Sequence, residues 1–134
     1  MIVILKNRDI NVGLILLQEF MQRELPISLS YAMAKTIRKM KRFAELIEEK
    51  RQKLVVKHQQ FDADDSPIRT DNGDIKLEDP TAFISDIEKL MNQTNEVDVY
   101  QIKLSKLLGL KDGKGKVIRP SIQEIDGLLL LSMI

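Results

Sequence analysis

The chain has 134 residues, of which 21 are Lys or Arg and 20 are Asp or Glu, so its formal net charge at pH 7 is only +1. This balance gives no overall field that would recruit nucleic acid or an anionic membrane, and binding of that kind has to be local. The absence of cysteine excludes a disulfide framework, a thiolate nucleophile and Cys-ligated zinc. We expect one domain over residues 1–134, located in the cytoplasm.

The first segment, residues 1–26, predicts a strand followed by a helix. "MIVIL" is a compact β-branched run, which predicts a strand at residues 2–6. Apolar residues then recur at helical spacing before the next proline: Ile10, Leu14, Leu17 and Met21. We expect this helix to have about four turns and to stop at Pro26.

Residues 28–61 predict one long helix, because the segment contains no Gly or Pro. Its apolar positions keep the four-three spacing that is typical of coiled-coil packing. About 30 residues at 1.5 Å each give roughly 45 Å, more than the ~36 Å diameter expected for a chain of this size. We therefore expect the helix to project from the domain and to need a partner along its apolar seam.

The stretch "FDADDSPIRTDNGDIKLED" at residues 61–79 carries seven acidic side chains. A calcium loop starting at Asp62 fails, because its sixth position is Pro67 instead of Gly and its twelfth is Gly73 instead of Glu. Two short alternating runs instead flank Asn72-Gly73, which is the strongest short-range signal for a β-hairpin. The sequence predicts a β-hairpin over residues 62–79 and no metal site.

The second half of the chain predicts two further helices and a strand. Asp79 as N-cap before Pro80 predicts a helix at residues 80–93, and "SIQE" is a capping box that opens a last helix over residues 121–134. The alternation in "EVDVYQIKL" predicts a strand at residues 96–104. We expect an α+β, mainly helical fold: a long helical hairpin with the β-hairpin at its tip and a small antiparallel sheet at its base.

Self-association follows from two apolar features. The helix at 80–93 covers only part of the seam, and the four consecutive leucines at 128–131 wrap more of the last helix than one face requires. We expect a homo-oligomer. The predicted interface consists of Met33, Ile37, Met40, Ile47, Leu54, Leu128 and Leu131.

No catalytic residue, metal ligand or cofactor is expected. The only histidine, His58, lies in the middle of a helix, and no Ser-His-Asp arrangement can be built around it. "GKGKV" at residues 113–117 is not a phosphate loop, because Val117 follows Lys116 where Ser or Thr is required. It predicts a basic loop in which Lys114, Lys116 and Arg119 are possible anion ligands.

Five stretches together resemble a family of short, uncharacterised bacteriophage or prophage proteins: "ILKNRDI", "ELPISLSYAMAKTIRKM", "DNGDIKLED", "DPTAFISDIEKLMN" and "VDVYQIKLSKLLGL". The resemblance implies a phage gene product that acts in the cytoplasm of the bacterial host. It implies no catalytic residues.

The preferred functional hypothesis is a non-enzymatic, oligomeric interaction protein that binds a host or phage protein, to inhibit it or to assist assembly. The expected contact residues are Arg38, Arg42, Glu45, Glu49 and Asn72. One alternative is nucleic-acid binding through the basic cluster at residues 35–42. Another is an oligomeric sponge for a phosphorylated nucleotide, held by the basic loop. A membrane partner is not expected.

Overall fold

The computed structural model describes all residues 1–134 and has the expected α+β, mainly helical class. In chain order the elements are β1 (Ile2–Lys6), α1 (Asn7–Leu16), a short 3-10 helix (Phe20–Gln22), α2 (Ile27–His58), α3 (Pro80–Asn92), β2 (Thr94–Asp98), α4 (Leu104–Leu108) and α5 (Ile122–Leu130). The chain divides into two compact units: unit 1, Met1–Ala44 with Thr94–Ile134, and unit 2, Glu45–Gln93. No helix combines the length and the apolar character needed to cross a bilayer.

The predicted small antiparallel sheet is confirmed in unit 1. β1 pairs only with β2, in a register that sets Ile4 opposite Glu96. Strand alternation directs Leu5 and Val97 into the core, whereas Ile2 and Ile4 project from the opposite face and are 70% and 69% exposed. Every side chain on that second face is exposed.

Three elements of unit 1 end earlier than predicted: β2, α1 and also α5, which stops at Leu130 instead of residue 134. β2 ends at Asp98, and the segment predicted to continue the strand turns away, so that Ile102 N–H donates to the carbonyl of Met133 at 2.7 Å. The alternation of apolar and polar residues in the sequence extends past Asp98 because Ile102, although outside the strand, is also buried in the core. α1 ends at Leu16, and the short 3-10 helix replaces its predicted last turns, with Phe20 fully buried.

The core of unit 1 contains most residues of the predicted oligomer interface. Met33 and Met40 are fully buried within the chain, as are Leu128 and Leu131, and Ile37 is 5% exposed. Ile47 is buried in the same way in unit 2, and Leu54 there is half-buried. Because buried side chains offer no surface to a second copy, we assign the six buried residues, but not Leu54, to the core instead of an oligomer interface.

Helices α1 and α5 of unit 1 approach closely at two glycines. A Cβ at Gly13 would lie 2.5 Å from Cγ of Leu131, and one at Gly127 would lie 2.9 Å from Cγ of Leu17. Heavy atoms do not tolerate such distances, so both positions require glycine for packing and not for backbone conformation.

In unit 2, polar and aromatic side chains tie α2 to α3. His58 Nε2 lies 2.7 Å from Asp86 Oδ2, and the imidazole meets the Phe83 ring edge to face, with ring centroids 5.7 Å apart. Hydrogen bonding from His58, followed by that from Lys57, lowers the pKa of Asp86. Asp79 caps α3 by accepting from Ala82 N–H, as its position before Pro80 predicts.

The segment between α2 and α3 contains isolated antiparallel bridges instead of continuous strands. Its backbone closes a ring of three hydrogen bonds: Gln60 N–H donates to Lys76, Lys76 N–H to Ile68, and Ile68 N–H to Gln60, each at 2.9 Å. Two tight five-residue loops, 62–66 and 70–74, turn the chain between the three members of the ring. The ring satisfies backbone groups that lie outside any regular strand.

In the loop 62–66, the acidic side chain of Asp62 binds the backbone of its own turn. Asp62 Oδ1 accepts the backbone N–H groups of Asp64 and Ser66 at 2.9 and 3.0 Å. The carboxylate thus serves its own turn, which is typical of Asp at the start of a loop.

Candidate functional site

The residues predicted to contact a partner all lie at the surface, but they are distributed over both units. Arg38 and Arg42 are exposed in unit 1, and Glu45 and Glu49 are exposed in unit 2. Asn72 is exposed in the loop 70–74. We therefore consider the surface of each unit separately.

Unit 2 presents a mixed apolar and charged helix face. Four exposed residues of α2 follow one another at helical spacing: Leu46, Glu49, Lys53 and Val56. The two apolar members are 53% and 58% exposed. We call this set the Leu46–Val56 face. Sequence reasoning missed its apolar members, because it followed the seam that packs inward.

Charges beside this face are paired to one another along the helix. Arg51 Nη2 and Nε donate to Glu48 at 2.7 and 2.8 Å, and Gln52 Nε2 donates to Glu48 at 3.0 Å. These bonds, that from Arg51 first, lower the pKa of Glu48 to about 2. Both ion-pair partners are roughly half exposed, so solvent screening keeps the gain in stability small despite the large shift.

A second surface of unit 2 is a basic groove of about 330 Å³ between α2 and α3. Four lysines line it: Lys50, Lys53, Lys57 and Lys89. Asp86 is the only carboxylate in its lining, and Lys57 Nζ contacts it at 3.2 Å. We call it the lysine groove. The three lysines of α2 recur at helical spacing, a signal that the sequence carries, whereas Lys89 joins them only through the packing of α3.

The basic cluster at residues 35–42 is partly committed to contacts within unit 1. Lys35 Nζ lies 4.8 Å from the centroid of the Tyr31 ring, and Lys39 Nζ donates to the carbonyl oxygen of Asp98 at 3.2 Å. Arg38 and Arg42 remain directed to solvent. The cluster therefore offers fewer free cations than its sequence indicates.

The basic loop near the C-terminus folds around its own carboxylate. Asp112 Oδ1 accepts the backbone N–H groups of Lys114 and Lys116 at 2.8 and 2.9 Å. The carboxylate therefore occupies the two backbone donors, which are no longer available to a bound anion. The side chains of Lys114, Lys116 and Arg119 are exposed around it.

The outer edge of β1 is the third exposed surface. Because Val99 N–H donates to the carbonyl of Met1, the register turns the backbone groups of Val3 and Leu5 towards β2. The N–H and C=O groups of Ile2 and Ile4 therefore point away from β2, along an edge that pairs with no other strand. An edge of this kind with exposed isoleucines is a template for another strand.

No three His, Asp or Glu side chains come together in a way that could hold a metal ion. No protein-family model, curated protein or solved structure matches the chain.

Proposed function

We propose that the chain is a non-enzymatic interaction protein of the phage type, which self-associates and binds a host or phage protein to inhibit it or to assist assembly. The observation that supports this function is the Leu46–Val56 face, on which two exposed apolar side chains flank one negative and one positive charge. Such a face suits a partner that offers an apolar groove bordered by complementary charges.

The two kinds of side chain on this face would have different roles in binding. Burial of Leu46 and Val56 would each stabilise a complex by about 0.8–1.5 kcal/mol, half the value for a fully exposed side chain, since both are already half covered. Glu49 and Lys53 would determine which partner binds and how fast, because charges at a rim act mainly on specificity and association rate.

We propose further that the second half of α2 and α3 are the two arms of a helical hairpin, with the segment between them as its tip. Supporting this shape are the Lys57–Asp86 and His58–Asp86 contacts between the arms and the hydrogen-bonded ring beyond them. Asn72, exposed in the loop 70–74, would then extend the contact surface around the tip.

The test is affinity capture of the tagged protein from a bacterial lysate, followed by light scattering on the eluted complex. We expect one co-eluting protein in a fixed ratio, which is lost in the double variant Leu46→Glu/Val56→Glu. The matched control is Ile122→Glu, which alters an 81% exposed residue of unit 1 and should retain the partner. A partner that also binds the double variant, or the absence of any stoichiometric partner, would contradict the proposal.

Nucleic-acid binding is a second candidate, favoured by the lysine groove. Four lysines around one groove, with a single carboxylate that is already paired, can follow a phosphate backbone. The double variant Lys53→Glu/Lys89→Glu should then abolish binding to a fluorescent oligonucleotide. For duplex DNA, the logarithm of the binding constant should fall with log salt with a slope of about −3 or less steep, since Lys57 is partly neutralised. Binding that persists in this variant would exclude the groove.

A further inference from the structure

We propose that two copies of the chain pair through the outer edges of their β1 strands, antiparallel and about a two-fold axis at Ile4. The inference deepens the proposed function, because it rests on the self-association proposed there and assigns its surface. All but Leu54 of the residues predicted from sequence to form an oligomer interface are buried within the chain, whereas β1 presents an exposed apolar edge.

The backbone of β1 directs hydrogen-bonding groups to the side on which a second strand would lie. Ile2 and Ile4 turn their N–H and C=O groups away from β2, and Lys6 does so with its N–H group. Protected edges usually carry charge, proline or a bulge; here the one charge is Lys6 at the end of the strand, and Ile2 and Ile4 are 70% and 69% exposed. Addition of a strand would satisfy these backbone groups and cover both isoleucines.

A second copy is the occupant that the side chains of β1 fit. With Ile4 on the axis, Ile4 of one copy faces Ile4 of the other, and Ile2 faces the other copy's Lys6. The register within each chain sets Ile2 opposite Asp98, whose carboxylate lies one strand further away and already pairs with the N-terminal ammonium of Met1 at 2.8 Å. Each strand thus offers an apolar centre that complements itself across the two-fold axis, with one cation beyond it.

The paired strands are short, so the dimer should be weak. β1 has five residues, and a strand of this length buries less than the roughly 1,200 Å² typical of stable interfaces. We therefore expect a reversible dimer whose population rises with protein concentration.

Disulfide trapping tests the geometry, because the chain has no cysteine of its own. In a hydrogen-bonded antiparallel pair, facing Cα atoms lie about 5.5 Å apart, within the range that a disulfide spans. Ile4→Cys should therefore form a covalent dimer rapidly under mild oxidation. Ile122→Cys, at another exposed isoleucine, is the matched control and should cross-link much more slowly. Equal rates for the two variants would overturn the proposal.

Light scattering over a concentration series tests the same edge without cross-linking. Ile4→Lys places two like charges at the axis, so the dimer dissociation constant should rise at least tenfold, whereas Ile122→Lys should leave it unchanged. Circular dichroism on each variant verifies that it is folded. A monomer at all concentrations, or a dimer insensitive to Ile4→Lys, would refute the pairing.

The same variants separate this inference from the function on which it rests. If the dimer does not involve β1 but the chain captures a partner through the Leu46–Val56 face, only the pairing fails. If Ile4→Lys dissociates the dimer and no partner is captured by the wild type, the pairing stands and the partner-binding function fails.

Discussion

Arg23 and Glu124, 101 residues apart in sequence, form a two-pronged ion pair: Nε donates to Oε2 at 2.9 Å and Nη2 to Oε1 at 2.7 Å. The glutamate is 1% exposed, and its Oε1 also accepts the Ser121 N–H at 2.9 Å within the capping box of α5. One carboxylate therefore caps a helix and fixes the chain that follows the 3-10 helix against it.

Replacing Arg23 by Met should destabilise the protein by about 2 kcal/mol at pH 7. Loss of one partner from a fully buried pair costs about 3–5 kcal/mol, and the 37% exposure of the Arg23 side chain reduces that cost. Urea unfolding would measure it. Arg51→Met, which breaks the exposed pair with Glu48, is the control, with an expected loss of about 0.5 kcal/mol at most. Similar losses for the two variants would contradict the structural role of Glu124.

The Glu124 carboxyl should make the stability of unit 1 depend on acid. The hydrogen bond from Arg23 lowers its pKa below 4.5 despite burial, so the folded state binds its proton less readily than the unfolded state. This contribution is complete above about pH 4.5 and is lost as pH falls through the lowered pKa of the folded state. Glu124→Gln should flatten the decline of the urea midpoint on acidification; an unchanged slope would contradict the assignment.

The two glycines at the crossing of α1 and α5 should resist substitution. Gly13→Ala and Gly127→Ala should each destabilise by up to about 2 kcal/mol net, because overpacking costs about 1–3 kcal/mol and alanine regains only roughly 1 kcal/mol over glycine in a helix. Gly109→Ala is the control: its nearest neighbour would be 3.5 Å from the new Cβ, and stability should change little. Thermal or urea unfolding decides, and a stabilised Gly13→Ala would show that the helices can move apart.

Asp62 and Asp112 should contribute equally, because their loops have the same geometry. Each accepts two backbone N–H groups, two and four residues further on, and Asp65 and Gly115 occupy equivalent positions with φ of 58° and 79°. Replacing either aspartate by Ala should cost about 1 kcal/mol. Asp71→Ala, in the loop 70–74 where Thr70 takes the equivalent first position, should be close to neutral in urea unfolding.

Local sequence signals were sufficient where an element depends on its own residues. β1 has the predicted bounds, since a β-branched run favours a strand whatever its partner. α3 begins at Pro80, where the Asp79 cap indicated, and the capping box opens α5 at Ile122.

Sequence signals failed where the local structure or a contact depends on tertiary packing. The alternation that extended the predicted strand to residue 104 comes from Ile102, which is buried by the C-terminal segment and not by β1. Arg23 carries no sequence mark of its pairing with Glu124. The lysine groove needs Lys89, whose proximity to the α2 lysines depends on the packing of α3, and Asp65 turns its loop with positive φ where no glycine marks the turn.

Unit 1 consists of residues from both ends of the chain, which determines when it can fold during synthesis. β1 pairs with β2 near residue 96, and α1 packs on α5, so its core closes only after α5 leaves the ribosome. Unit 2 is continuous from Glu45 to Gln93, and its contacts are available earlier. During translation the apolar face of α1 therefore stays exposed until nearly the whole chain has been synthesised. A chaperone that binds this segment of the nascent chain would shorten the period in which it can aggregate.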